Sequence, residues 1–170
     1  MGVRHAVVDS PVGELTLVAD GQALIGLYFA GHGRTPRLTD LGPRVPGGAD
    51  PVLAEAARQL REYFAGERTT FELELAPRGS EFEQKVWQLL TTIPYGQTRT
   101  YGQLAAELGD PRAAQAVGNA NGWNPISILV PCHRVVGARG ALTGYAGGVD
   151  RKRFLLELEE PSAEAGNRLF

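Results

Sequence analysis

Cys132 is the only cysteine in a chain of 170 residues. It lies in the stretch Asn124–Gly137, NPISILVPCHRVVG, with Pro131 before it, His133 directly after it and Arg134 beyond. An unpaired cysteine is most often a small buried hydrophobe, and on that reading Cys132 only packs. A thiol beside an imidazole offers a second chemistry. The thiolate is the nucleophile, and a free cysteine of pKa about 8.5 is only a few per cent thiolate at neutral pH. A neighbouring base that accepts the proton raises that share, so Cys132 and His133 read as a candidate nucleophile and general base. One thiol also excludes an intramolecular disulfide and every multi-cysteine zinc site. A reducing cytoplasm is its natural setting.

The elements that must hold this pair fall into two halves. VRHAVVD, GELTLVA and ALIGLYF are apolar or alternating runs separated by SPVG and ADGQ, the pattern of a β-meander over the first thirty residues. Gly31–Asp50 is rich in Gly and Pro and predicts a long surface loop. Asp50-Pro51 then starts a helix, with Asp as N-cap and Pro at the first position. Leu53, Ala56, Ala57, Leu60 and Phe64 follow at helical spacing, and Gly66 ends it. TFELELA alternates and predicts a fourth strand.

The second half is helical. Ser80 and Glu83 form a capping box ahead of an apolar stripe of Phe82, Val86, Leu89, Leu90 and Ile93. Thr100 and Gln103 form another, opening a short helix to Leu108, and Asp110-Pro111 starts the next after Gly109. Two short helices across a tight glycine turn are the pattern of a helix-turn-helix, which structural helix hairpins share. The second helix carries Ala113, Ala114, Ala116, Gly118 and Ala120. So little bulk suits either tight packing in a core or entry into a DNA minor groove, about half as wide as the major groove.

Charge follows the same division. The net charge of −2 argues weakly against a nucleic-acid partner. Residues 78–153, however, hold nine Lys/Arg against five Asp/Glu, while the remainder holds eight against fourteen. A basic module joined to an acidic one can still present a positive face to DNA. No run of 18 apolar residues exists, so no transmembrane helix is expected. The first residues, MGVRHAVVDS, lack a signal-peptide core.

IPYGQTRTYGQLA, AVGNANGWNPISILVPCHRVVG and LTGYAGGVDRKRFLLELE together closely resemble the methylated-DNA–protein-cysteine methyltransferases of bacterial type, the O6-alkylguanine-DNA alkyltransferases. The resemblance is strong from about Ser80 to Glu159 and extends more weakly to SPVGELTLVADG near the N-terminus. It implies an α+β fold: a ribonuclease-H-like antiparallel sheet domain over residues 1–76, and a helical domain over 77–170 carrying a helix-turn-helix and the reactive thiol. It implies direct repair of O6-methylguanine, with O4-methylthymine as a second substrate. The base is flipped out of the duplex, and its alkyl group passes irreversibly to the cysteine, once per protein molecule. No cofactor is implied. The expected partner is double-stranded DNA bound through its minor groove by a monomer.

Site roles carry over residue by residue. Cys132 matches the acceptor, His133 the base acting through a water, and Glu159 the acid that orients it. Asn124 matches the residue tying the active-site turn together, and Tyr101 the phenol that protonates the departing base. Tyr145 and Ala146 match the loop closing over the base, Val135 contributes backbone groups to the guanine edge, and Lys152 matches a pocket-side lysine. Ala116, Gly118 and Asn119 fall on the recognition helix, with Arg112, Arg134 and Arg139 as nearby cations. The family usually places an arginine where this chain has Gln115, so the wedge that fills the vacated base stack here lacks a charge. Some members carry an N-terminal zinc built from Cys and His. With only His5 and His32 in that half, no metal is expected. Two alternatives remain: an alkyltransferase-like protein that binds the lesion without transfer, disfavoured because those proteins lack the cysteine, and a helix-turn-helix regulator. A cysteine hydrolase is disfavoured because no acyl-binding motif is visible.

Overall fold

The computed structural model describes residues 2–31, 38–145 and 147–160. Its first element is an antiparallel sheet in the order β1 (Val3–Val8), β2 (Leu15–Asp20), β3 (Ala23–Phe29), with Ala6 opposite Leu17 and Leu17 opposite Leu27. Helix α1 (Pro51–Phe64) packs on it through Leu53, Ala56, Ala57, Leu60 and Tyr63. Asp50 caps α1 by accepting from the Val52 and Leu53 N–H groups, and also receives the Arg4 side chain from β1 at 2.6 Å. One carboxylate thus starts the helix and fixes it to the sheet. The buried residue at the end of α1 is Tyr63; Phe64, expected on that stripe, is half-buried.

The expected strand TFELELA does not form. Residues 74–76 touch β3 at one bridge, Leu24 to Leu75, with Leu24 N–H donating to the Glu74 carbonyl. Three residues further along, the same edge is occupied by another segment: Leu27 bridges Ile126. The sheet edge is therefore shared, and neither neighbour runs long enough to be a strand. Part of Gly31–Asp50 also pairs: His5 donates to Pro43 and accepts from Val45 on the outer side of β1. Residues 32–37 of that loop lie outside the described residues.

In the second half, α2 (Glu81–Leu90) has the expected capping box and buries Val86, Trp87 and Leu90, while Phe82 turns outward. A two-residue strand, β4 (Arg99–Thr100), leads into α3 (Tyr101–Glu107), again with the expected capping box. One turn of 3₁₀ helix (Pro111–Ala113) precedes α4 (Ala114–Gly122), and α3 with α4 makes the helix-turn-helix. Trp87 donates its indole N–H to the Ala120 carbonyl at 2.8 Å and so anchors α2 to α4. The chain then passes through Cys132 to β5 (Val135–Val136), parallel to β4, and on to α5 (Val149–Leu158), the last element among the described residues. A single apolar core runs through both halves, from Ala6 and Leu17 in the sheet through Leu60 and Val86 to Cys132 and Leu155.

Candidate active site

Cys132 is presented by a loop that is tied at almost every residue. Asn124, directly after α4, donates to the Val130 carbonyl at 2.8 Å and accepts from Ile126 N–H at 3.0 Å, so one side chain closes the loop from inside. From outside, Leu27 of β3 donates to the Pro125 carbonyl and accepts from Ser127 N–H. Between these ties Ile128 has φ +71°, inside a three-residue turn closed by Leu129 N–H to the Ser127 carbonyl at 2.8 Å. Positive φ in a β-branched residue costs about 1–3 kcal/mol and persists only where the surroundings over-determine it. A second three-residue turn, around Pro131 at φ −80° and ψ 65°, donates Cys132 N–H to the Val130 carbonyl.

The side chains that converge on this loop are buried. Cys132 is 4 % exposed, and burial raises its thiol pKa. Asn124, Lys152, Tyr145 and Ser127 each pull it back down in part. His133, fully buried, meets Glu159 with Nε2 and Oε2 2.7 Å apart. Glu159 also receives Arg134 through Nε at 2.7 Å and a second guanidinium nitrogen at 3.0 Å, and the Tyr63 hydroxyl at 2.5 Å. Burial opposes ionisation of Glu159, but the His133 hydrogen bond and the Arg134 charge outweigh it and hold the carboxyl below its ordinary range. An ionised carboxylate can only accept. Nε2 of His133 must therefore carry the proton, and Nδ1 is a bare lone pair. Burial, with Arg134 and Lys152 adding to it, keeps the imidazole below its ordinary pKa against the pull of Glu159, so it is neutral at pH 7.

Tyr145 and Lys152 complete the enclosure. Tyr145 is 9 % exposed, with its ring 5.9 Å from that of Phe29 in β3. A Cβ on Gly147 would lie 2.6 Å from the Phe29 ring, so only glycine lets the segment come this close. Lys152 is fully buried, donates to the Thr143 carbonyl at 3.0 Å and stands 5.9 Å from the Tyr145 ring. Burial lowers its pKa to about 8, partly opposed by Cys132. Val135, also buried, gives its N–H to the Cys132 carbonyl.

Among the described residues, Asn121 Oδ1 and His133 Nδ1 are buried without a hydrogen-bond partner, and Tyr145 Oη is turned to the Cys132 sulfur and Ser127. Buried polar atoms are almost always paired, so each unmet one calls for a physical account. All three belong to neighbours of the one thiol: Asn121 donates to the Cys132 carbonyl, His133 follows Cys132 in the chain, and Tyr145 interacts with its sulfur. Comparison with known proteins gives the family. Residues 3–77 match the ribonuclease-like domain of the 6-O-methylguanine DNA methyltransferases, and residues 81–161 match their DNA-binding domain. The chain belongs to this family. It is 51% identical over 99% of both chains to a Mycobacterium bovis methylated-DNA–protein-cysteine methyltransferase, and 47% identical to that of Methanosarcina acetivorans over 91% of this chain and 97% of that one. It superposes on Mycobacterium tuberculosis OGT in complex with DNA with a TM-score of 0.82, 51% identity and 92% of each chain covered.

The structure gathers Cys132, His133, Glu159, Asn124, Tyr145, Val135 and Lys152 of the expected site residues into one buried cluster. Tyr101 is the first residue of α3, half-buried and packed against the same core. A Cβ on Gly118 of α4 would lie 3.6 Å from its ring. Gln115, Ala116 and Asn119 are exposed on α4, and Arg112 just ahead of it is exposed beside Asp110. Arg139 is exposed, on a turn of its own with φ +61°. Ala146 and His32 lie outside the described residues. One expectation needs correction. Arg134, grouped with the DNA-facing cations, is buried: it clamps Glu159, donates to the Ile93 carbonyl at 2.7 Å and lies 5.8 Å over the Tyr95 ring. Its charge is spent on a carboxylate in the interior and does not reach a phosphate. Sequence reasoning also missed Tyr63. Its signal was present: it sits three residues after Leu60 on the apolar stripe, and a buried tyrosine must find a partner for its hydroxyl.

Proposed function

We propose that this chain repairs O6-alkylguanine in DNA by moving the alkyl group onto Cys132, once per molecule. The observation that carries the reading is the polarity of the His133 ring. Its Nε2–H is held by Glu159, and its Nδ1 lone pair is free in a buried site beside the chain's only thiol.

The step balances as follows. The Cys132 thiol proton passes through a bridging water to His133 Nδ1. The sulfur attacks the O6-alkyl carbon, a C–S bond forms, and the C–O bond breaks with its electron pair leaving on guanine. Tyr101 supplies the proton that neutralises the departing base. The imidazolium formed is stabilised by Glu159, the arrangement of hydrolytic triads applied to alkyl transfer. The thioether cannot be hydrolysed, so one thiol suffices. Asn124 holds the loop, Tyr145 and Ala146 cover the base, Lys152 polarises the pocket, and the backbone of Val135 reads the guanine edge. O4-methylthymine undergoes the same displacement in this reading.

DNA binding belongs to the family's matched domain, and we assign its docking to the minor groove. The low bulk of α4 supports that choice, with Ala116, Gly118 and Asn119 at the surface and Gln115 as the wedge entering the vacated stack. Arg112 and Arg139 are the cations proposed to meet phosphates. A monomer acting in the cytoplasm, divided after residue 76, completes the proposal. One chain supplies every residue of the site, and the single thiol must stay reduced.

The test is stoichiometry. With a tenfold excess of duplex carrying O6-methylguanine, conversion to guanine should stop at one lesion per protein molecule. Continued turnover would refute the single-use mechanism, and lesion binding with no conversion would favour a binding-only role.

A further inference from the structure

Glu159 receives a side-chain hydrogen bond from the other half of the molecule. Tyr63, the last buried residue of α1, donates its hydroxyl to Glu159 Oε2 across 96 positions of sequence. The same oxygen receives His133 Nε2 and one nitrogen of Arg134, while Oε1 receives Arg134 Nε. Three donors on one oxygen leave it little freedom to rotate or to accept more charge. The Tyr63 ring is itself fixed by three aromatic neighbours: Phe64 and Phe71 with centroids at 5.3 Å, and Tyr95 edge-on at 6.3 Å. Tyr95 in turn lies under Arg134 and donates to the Leu158 carbonyl, one residue before Glu159. The aromatic cluster thus holds Glu159 from the side chain and from the backbone at once.

We propose that Tyr63 is a positioning residue for alkyl transfer: through its hydrogen bond to Glu159, the N-terminal domain sets the basicity of His133. The proposal rests on the functional reading above. Its physics is a competition for one acceptor. Each donor on the carboxylate disperses its charge and weakens its hold on the others. With Tyr63 in place, Glu159 directs Nε2–H without drawing the imidazole strongly toward the protonated form. Without it, the carboxylate is a stronger acceptor for His133, the imidazolium is favoured, and less neutral base is present at pH 7 to take the thiol proton. Burial raises the pKa of the Tyr63 phenol well above its ordinary value, so the hydroxyl remains a donor at every pH of interest. This gives the ribonuclease-like half a part in the chemistry, although it carries no nucleophile.

The experiment compares the full-length protein with Tyr63→Phe, Glu159→Gln and the double variant. Tyr63→Phe removes one oxygen and keeps the ring packing. Single-turnover methyl transfer from O6-methylguanine duplex should slow about tenfold at pH 7, the scale of one hydrogen bond to a charged group. The acid limb of its rate–pH profile should move to higher pH, and the deficit should narrow as pH rises. Affinity for undamaged duplex should not change. Adding Tyr63→Phe to Glu159→Gln should have no further effect on rate, because the route runs through Glu159. Imidazole ¹⁵N resonances of His133 should show the Nε2–H tautomer in the parent protein and a raised pKa in Tyr63→Phe. A lower melting temperature with unchanged pH profile and unchanged His133 titration would overturn the proposal, as would additive effects in the double variant. The ¹⁵N measurement needs no alkyl transfer: if the parent transfers no methyl, the functional reading fails, and the titration still decides the role of Tyr63.

Discussion

The buried cluster around Cys132 and the exposed face of α4 solve opposite problems. At Glu159 an imidazole, a guanidinium and a phenol are each held within one hydrogen-bond length of the same buried carboxylate. On α4, Gln115, Ala116 and Asn119 stand in solvent, and Arg112, just ahead of the helix, is exposed next to an aspartate. Each charged member of the first region depends on the others, because a buried charge without its partner is costly. In the second region the residues act one at a time, and losing one costs only its own contact. The buried cluster is over-determined and brittle; the exposed face of α4 is sparse and tolerant.

Two arginines expose the contrast most sharply. Arg134→Leu leaves Glu159 buried with too little compensation and should lower stability by about 3–5 kcal/mol in urea unfolding. Arg112→Ala should leave the unfolding midpoint unchanged and weaken duplex binding at low salt. Equal stability losses in the two variants would erase the distinction.

His133 comes next. His133→Phe should slow transfer at pH 7 by about a hundredfold or more, the ordinary scale of losing a general base. In the parent protein the rate should rise with pH through a pKa below the ordinary histidine value, because burial disfavours the imidazolium. Below that pKa Nδ1 is protonated and cannot accept the thiol proton, so activity falls on the acid side. Stability follows the same sense at lower pH. Glu159 is held below its ordinary pKa, so its contribution is complete above about pH 4.5 and is lost as acid protonates it. Glu159→Gln should remove that part of the acid dependence.

The smallest effect is expected at Gln115. Extruding a base costs a few kcal/mol, and an uncharged wedge recovers part of it. Gln115→Ala should slow repair of duplex several-fold, and Gln115→Arg should speed it at low lesion concentration. Neither should alter the reaction with free O6-benzylguanine, which needs no flipping. Unchanged duplex repair in both variants would assign the wedge to another residue.

Much of this was legible in the sequence because it is local. Both capping boxes, the Asp50-Pro51 helix start and the meander depend on neighbours in the chain, and all formed as read. The Pro131–Arg134 stretch resembled its family closely enough to single out the thiol. What sequence could not give is what crosses the molecule. TFELELA alternates like a strand, but whether it pairs depends on who holds the edge of β3, and residues 125–127 take the adjoining stretch of it. Arg134 next to the Cys132–His133 pair looks like a phosphate contact until Glu159, 25 positions on, is seen to hold it. Tyr63 and Phe64 are equally apolar on paper, and only the position of Glu159 beyond the end of α5 selects the one with a hydroxyl.

The central claim is that Cys132 is an alkyl acceptor used once. Incubation with excess O6-methylguanine duplex, followed by intact-mass measurement and peptide mapping, tests it most directly. One methyl group, about 14 Da, should appear on the peptide containing Cys132 and nowhere else, with no second addition however long the reaction runs. An unmodified protein beside repaired DNA, or a methyl on any other residue, would contradict the account.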